Sequence, residues 1–245
     1  MQITGRGSIV AGVVASAATG LAMLAGVAVA QDGEDAPVVV ELFTSQGCSS
    51  CPPADRLLAD LADRDDVIAL ALHVDYWDYI GWKDSFARPE HTARQRAYAA
   101  AAGERMVYTP QIVVGGTHRV VGARAMKVVD AIEAYAQAPA PVRVEAERRG
   151  EMLAVDAVAP GGAVAGRMVV QLVRYRPRET VAIKRGENAG HTFTYSNIVT
   201  AWDVVSEWTG AEPLSLLLDV PGAEHAVVIV QQAGHGAILG AAASR

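Results

Sequence analysis

Val38-Val39-Val40-Glu41-Leu42-Phe43-Thr44-Ser45-Gln46-Gly47-Cys48-Ser49-Ser50-Cys51-Pro52-Pro53-Ala54-Asp55 is the stretch on which the reading of this 245-residue chain turns. It opens with an apolar run, Val38 to Thr44, as expected of a strand covered on both faces. It then carries the only two cysteines of the chain, Cys48 and Cys51. Pro52 and Pro53 follow, which suit a first helical turn because the N–H groups they lack would be unpaired there anyway. Ala54, Leu57, Leu58, Leu61 and Ala62 then recur at the spacing of one helical face. The order is strand, CxxC, helix.

A thiolate is the nucleophile of disulfide exchange, so a reactive site has to lower a thiol pKa. A helix N-terminus does this through unpaired N–H groups and the positive end of the dipole. Cys48 is therefore expected to be the attacking thiol, with the N–H groups of Ser49, Ser50 and Cys51 facing its sulfur. Cys51 is expected to resolve. The bland alternative is an inert disulfide or a reduced structural pair. Against a structural staple, a four-residue loop gains only roughly 2 kcal/mol from chain entropy, against about 4.7 for a loop of 100.

Working outward, Val67 to Val74 reads as a second buried strand, and Pro89 to Ala102 as a helix with Gly103 just past its end. Gln111 to Val114 and His118 to Val121 flank Gly115-Gly116 as a hairpin. Ala125, Val129, Ile132 and Ala136 mark a closing helix. The order β-α-β-α-β-β-α predicts an α/β thioredoxin-like domain over residues 37–137. Thr109-Pro110 introduces its third strand, where an X-Pro bond can be cis at modest cost. A cis-proline at this place in such folds lies against the dithiol, so Pro110 joins the expected catalytic set and Thr109 is expected to meet substrate backbone. The aromatic and acidic loop His73 to Asp84 leaves the second strand at its carboxyl end, where ligands gather in open α/β sheets. It either walls the site or simply packs on the body.

Ala138-Pro139-Ala140-Pro141 is a Pro/Ala linker. Beyond it, Val142 to Ala146, Leu153 to Val158, Met168 to Arg174, Asn197 to Val205, Leu214 to Leu218 and Ala226 to Gln232 read as short strands between Gly, Pro and polar turns. They predict a β-rich, antiparallel sandwich-like domain over 142–245.

Residues 1–30 read as a signal peptide: Arg6, an uncharged Ala/Gly/Val-rich stretch, then Ala28-Val29-Ala30 before Gln31. The stretch is also long enough for an uncleaved anchor. The protein is thus expected to be periplasmic or secreted, with no stable membrane insertion after cleavage. Cleavage would leave 20 Lys and Arg against 27 Asp and Glu with no basic block, which argues against nucleic acid as a partner.

Several of these segments together resemble a known family. Val39 to Asp55, His73 to Trp77, Gly81-Trp82-Lys83-Asp84, Tyr108-Thr109-Pro110-Gln111 and Arg185-Gly186-Glu187-Asn188-Ala189-Gly190 are similar to motifs of the secreted thioredoxin-like proteins catalogued as domain of unknown function 1223. The resemblance implies bacterial export, a thioredoxin-like fold, Cys48 and Cys51 as a redox pair, and Pro110 as a cis-proline. It implies no established reaction. Arg185 to Gly190 itself reads either as a tight turn or as a contact to an anion or to the other half, with Glu187 and Asn188 supplying side chains.

The leading expectation is an exported thiol–disulfide oxidoreductase needing no cofactor, whose partners are protein thiols or disulfides and a redox partner protein. The runner-up is a periplasmic copper-binding protein, since two soft thiolates suit Cu(I), with His73, His91, His118 or Met106 as candidates for a further ligand. Gln46 stands where M-x-C-x-x-C carriers have Met, and no second Cys/His pair has zinc spacing. A non-enzymatic binding module with a vestigial dithiol is the third.

Overall fold

A computed structural model describes residues 1–2, 36–122, 124–138, 140–161 and 166–244. The expected signal segment lies outside the described residues save its first two, as does Pro139 of the expected linker. Gly33–Arg245 forms one compact unit.

The first half holds β1 (Val38–Thr44), α1 (Pro52–Ala62), β2 (Val67–His73), a 3₁₀ turn (Asp78–Ile80), α2 (Pro89–Ala101), β3 (Gln111–Val114), β4 (His118–Val121) and α3 (Ala125–Ala136). These are close to the elements that periodicity and turn residues predict. The second half holds β5 (Arg143–Arg149), β6 (Met152–Val158), β7 (Met168–Ala182), β8 (Thr192–Trp208), β9 (Leu214–Asp219), β10 (His225–Gln232) and β11 (Ile238–Ser244).

The expected architecture, a thioredoxin-like α/β domain followed by a β-rich sandwich-like domain, is wrong. The molecule is mostly sheet, and one eight-stranded mixed sheet runs through both halves in the order β11-β10-β7-β8-β2-β1-β3-β4. The joint is β2 beside β8, parallel, with Ala71 opposite Ile198. Among the described residues β5-β6-β9 form a separate sheet. The physical cause is the length of the β7–β8 hairpin. Its strands have 15 and 17 residues, against the short strands expected, and stay paired from Met168–Trp208 to Ala182–Thr192. The far arm reaches past the second half and docks on β2. Its register shifts between Val170 and Gln171 and between Arg174 and Tyr175, and Pro177, which has no N–H for the ladder, falls between the Arg176–Ile198 and Arg178–Ser196 pairs. Asn197 there takes a positive φ of 48° and its Nδ2 donates to the Ala69 carbonyl at 2.8 Å.

The sheet curls until its ends meet: Ile238 N–H, at the start of β11, donates to Gly115 O, in the β3–β4 turn, at 2.9 Å. Strand alternation then sorts side chains into an inner and two outer cores. Inward go Val39, Phe43, Leu70, Leu72, Val173, Val227 and Ile229, closed over by Tyr98 of α2. Outward, Val40, Leu42, Ala69 and Ile112 meet α1 and α3 through Leu58, Leu61 and Ile132. On the other outer face Val170, Leu172, Val228 and Val230 meet Leu153 and Val155 of the small sheet.

Glu41 breaks the apolar run of β1 and points inward. It is fully buried, and Arg94 of α2 forks onto it, Nε to Oε2 at 2.6 Å and Nη2 to Oε1 at 2.9 Å. Tyr98 Oη donates to Oε1 at 2.6 Å. Arg94 also donates to Gln171 and Gln231, and its guanidinium lies 3.7 Å from the Trp202 ring centroid. This network ties α2 to strands of both halves. Bidentate pairing and full hydrogen bonding are what a buried charge requires.

Candidate functional site

The dithiol sits where β1 ends and α1 begins. Two consecutive turns make the link: Cys48 N–H donates to Ser45 O at 3.1 Å, and Cys51 N–H to Cys48 O at 3.2 Å. Cys48 and Cys51 form a disulfide, and no described cysteine is free. Cys51 is the N-cap of α1, with Pro52 and Pro53 in the first turn. Two details differ from the sequence reading. The helix starts nearer Cys51 than Cys48, and the Cys51 N–H is spent on the turn rather than facing sulfur. What distinguishes Cys48 is its neighbours. Both cysteines are buried, but Cys48 is followed directly by the exposed Ser49 and Ser50 and its Sγ is 3.4 Å from Ser50 Oγ.

Pro110 comes to the site because β3 runs antiparallel to β1, with Gln111 opposite Phe43. The Thr109–Pro110 peptide is cis, as expected. Gly122 holds the other side: its N–H donates to Pro110 O at 3.0 Å, and a Cβ there would lie 2.9 Å from Pro110 Cβ and 3.0 Å from Ala54 Cβ. Gly122 thus lies between Pro110 and Ala54 of the first turn of α1. Thr109 Oγ1 accepts from Trp77 Nε1 at 2.7 Å.

The loop after β2 walls the site. Trp77 and Ile80 leave no more than ordinary packing room over the Cα of Gly47. Gln46 is locked on three sides: its N–H donates to Asp84 Oδ2 at 2.7 Å, its Nε2 to Ser85 Oγ at 3.1 Å, and its Oε1 accepts from Trp82 Nε1 at 2.8 Å. Tyr79, 80% exposed, stacks on Trp77 beside the dithiol.

A residue 140 positions away completes the frame. Asn188 Nδ2 donates to Gln46 O at 2.9 Å and to Cys48 O at 3.1 Å. Asn188 lies in the turn joining the long β7–β8 arm, where Gly186 and Gly190 supply positive φ. Both readings of Arg185 to Gly190 therefore meet: it is a tight turn, and it contacts the first half.

Beneath lie buried titratable groups. His73 Nδ1 is 2.7 Å from Asp84 Oδ2, both side chains fully enclosed. Burial alone would push the Asp84 carboxyl up, but the His73 ring and hydrogen bonds from His73, Gln46 N–H and Phe86 N–H outweigh it and hold it below its ordinary value. Burial pushes Asp55 the other way, up to about 6, against the pull of His73 and of the Thr44 hydroxyl. His91, whose Nδ1 is 2.9 Å from His73 O, is pushed down to about 4 by burial. Sequence reasoning passed over Asp55; its position one turn after Cys51 was the available signal.

The copper ligands weighed from sequence do not assemble. His73 and His91 are buried, while His118 and Met106 are exposed. Among the described residues no group of three or more His, Cys, Asp or Glu is placed to hold a metal.

The family described as protein of unknown function (DUF1223) matches residues 39–231, which include every residue of this frame. The chain belongs to this family. A crystal structure of protein AGR_C_4864 from Agrobacterium tumefaciens is 34% identical, with a TM-score of 0.74 over 86% of this chain and 94% of that one. That match spans both halves, in keeping with a single continuous sheet. HBP35 of Porphyromonas gingivalis is 14% identical, with a TM-score of 0.58 over 86% of this chain and 75% of that one, a likeness of fold alone. No curated protein matches the chain.

Proposed function

We propose that this DUF1223 protein is an exported thiol–disulfide oxidoreductase. The observation that carries the reading is the placement of the Cys48–Cys51 disulfide between β1 and α1, with the cis Pro110 separated from the first turn of that helix only by Gly122. A disulfide that braces only a four-residue loop contributes little to a fold with three extensive cores. The rest of the frame is spent on holding that loop: Gln46, Asp84, Trp82 and Asn188 fix its backbone while Ser49 and Ser50 stay exposed.

In this reading a substrate thiolate attacks Cys48 Sγ, the sulfur beside the exposed Ser49 and Ser50, and Cys51 leaves. In the opposite direction Cys48 thiolate attacks a substrate disulfide and Cys51 resolves the mixed disulfide. Thr109 and Pro110 line the approach on the β3 side. The partners are protein thiols or disulfides and a redox protein that resets the pair. Residues 1–30 direct export by a cleavable signal, which gives the dithiol a compartment where disulfides persist.

The test is trapping. Cys51→Ser protein is expected to accumulate mixed disulfides through Cys48 when mixed with a reduced, unfolded protein and oxidant. Cys48→Ser is expected to accumulate none. Equal trapping by both variants, or by neither, contradicts the assignment. Mass spectrometry of the mature chain beginning at Gln31 checks export.

A further inference from the structure

The dithiol loop follows β1, and the sheet order places β2 and then β8 on one side of that strand, β3 and then β4 on the other. Exposed cations stand on both sides. Lys184 and Arg185 lie in the β7–β8 turn, whose Asn188 Nδ2 donates to Cys48 O at 3.1 Å. Gly186 packs that turn against the walling loop, since a Cβ on it would lie 3.2 Å from Trp82 Cβ. Lys83 is exposed between Trp82 and Asp84, both of which are hydrogen-bonded to Gln46. On the opposite side Arg124 is exposed two residues after Gly122, which lies between Pro110 and Ala54. The helix α1 adds the exposed Arg56.

None of these five cations forms an ion pair among the described residues. The acids nearest to them in the walling loop are occupied: Asp75 accepts from Thr92 Oγ1 at 2.6 Å, and Asp78 from the Asp84 N–H at 3.0 Å. Glu187 is the exposed acid of the β7–β8 turn. The chain as a whole has 21 Lys and Arg against 27 Asp and Glu. Cations therefore gather around the dithiol of a protein whose overall balance is acidic. Exposed charges act over about 10 Å at 0.1 M salt. Charge of one sign around a site concentrates partners of the other sign and speeds their encounter.

We propose that this cationic rim selects polypeptide substrates whose cysteine is flanked by carboxylates. The inference deepens the exchange reading above and rests on it. Because the cations straddle the loop, a chain crossing Cys48 meets Lys83, Lys184 and Arg185 with one flank and Arg124 with the other. A carboxylate on one flank alone engages part of the rim, and carboxylates on both flanks engage all of it. The chemistry is unchanged by the selection. A substrate thiolate attacks Cys48 Sγ, the Cys48–Cys51 bond breaks, and Cys51 takes the bonding pair. A second substrate thiolate then attacks the substrate sulfur of the mixed disulfide. A substrate disulfide leaves, and the protein has gained the two electrons that the substrate lost.

The test uses the full oxidised chain and three synthetic peptides, each with one cysteine flanked on both sides by Glu, by Ser or by Lys. Exchange is followed by acid quenching and mass spectrometry, and each rate is expressed per thiolate from that peptide's own thiol titration. A unit-charge pair about 10 Å apart in water changes an encounter roughly twofold, and several act together here. The Glu-flanked peptide is therefore expected to react about tenfold faster than the Lys-flanked one at about 20 mM salt, and less than about twofold faster at about 0.5 M. In Lys184→Glu/Arg185→Glu protein the low-salt ratio is expected to fall to about one, and the Ser-flanked peptide reports any change in the dithiol itself. Equal rates for all three peptides, or a ratio that survives charge reversal, overturn the rim's role and leave exchange standing. No reaction with any of the three overturns the exchange reading, and the rim's role with it.

Discussion

Asp55→Asn is predicted to stabilise the oxidised protein at neutral pH. Burial raises the carboxyl from 3.8 to about 6. That is roughly two pKa units at about 1.4 kcal/mol each, so the ionised side chain costs the native state about 3 kcal/mol. Because the folded value is the higher one, the native state takes the proton first as pH falls. The cost is therefore full above about pH 6 and is relieved between there and the unfolded value. Asn has the same shape and still accepts from Thr44, but its amide donors lack partners, which offsets about 1 kcal/mol. The expected net gain is about 2 kcal/mol near pH 8. His91 supplies a control of opposite sign. Burial lowers it from 6.5 to about 4, so the unfolded chain takes that proton first and stability falls by about 3 kcal/mol across this window. In the unsubstituted protein the two effects nearly cancel between about pH 6 and 4. In Asp55→Asn the His91 loss stands alone, so the acid limb steepens and the advantage is gone by about pH 4.5. Urea unfolding of both proteins at about pH 8 and about pH 4.5 measures it. A variant less stable at pH 8, or a gap that does not change with pH, refutes the reasoning.

Arg94→Met is expected to cost about 3–5 kcal/mol in the same unfolding experiment, since Glu41 would keep a buried charge with no counter-ion; a cost below about 1 kcal/mol would show that the pair does not bind α2 to the sheet. Asn188→Ala removes both bonds to the dithiol loop and is expected to cost about 1–2 kcal/mol. Amide exchange should then rise over residues 46–51 while the β1–β2 ladder keeps its protection, and a uniform rise would contradict a local role. Gly122→Ala pushes a methyl against Pro110 and Ala54, so it is expected to lose about 1–3 kcal/mol and to slow disulfide exchange together. Unaltered exchange would mean that the spacing of Pro110 from α1 does not matter to the chemistry.

What was legible in the sequence was local. The β1–α1 junction, the β3–β4 hairpin and the helices α1, α2 and α3 announce themselves through period, proline and glycine within a few residues. The architecture was not, because it depends on pairings far apart in the chain. The outer half of β7 carries Arg176, Pro177, Arg178 and Glu179, which read as a turn, yet these residues continue the strand to Ala182. Nothing local announces that this arm lies beside β2. The strand β11 was missed because Gly240, Ala241, Ala242 and Ala243 lack strand-like bulk. Small residues are needed there, since a Cβ on Gly240 would run into the Val142 carbonyl. The site was half legible. Cys48, Cys51 and Thr109-Pro110 stood out as motifs, whereas the Glu41–Arg94 pair and the grip of Asn188 join residues 53 and 140 apart. Asp55 looked like an ordinary first-turn acid until its burial was known.

The central claim, that Cys48 and Cys51 are a working redox pair, is tested most directly by equilibrating the full chain in graded glutathione buffers and counting free thiols by mass-tagging. The account predicts one two-electron transition with a potential between about −270 and −120 mV, lost in Cys48→Ser. A pair that stays oxidised to below about −300 mV, or whose sulfurs never exchange in the native state, is a structural disulfide and contradicts it.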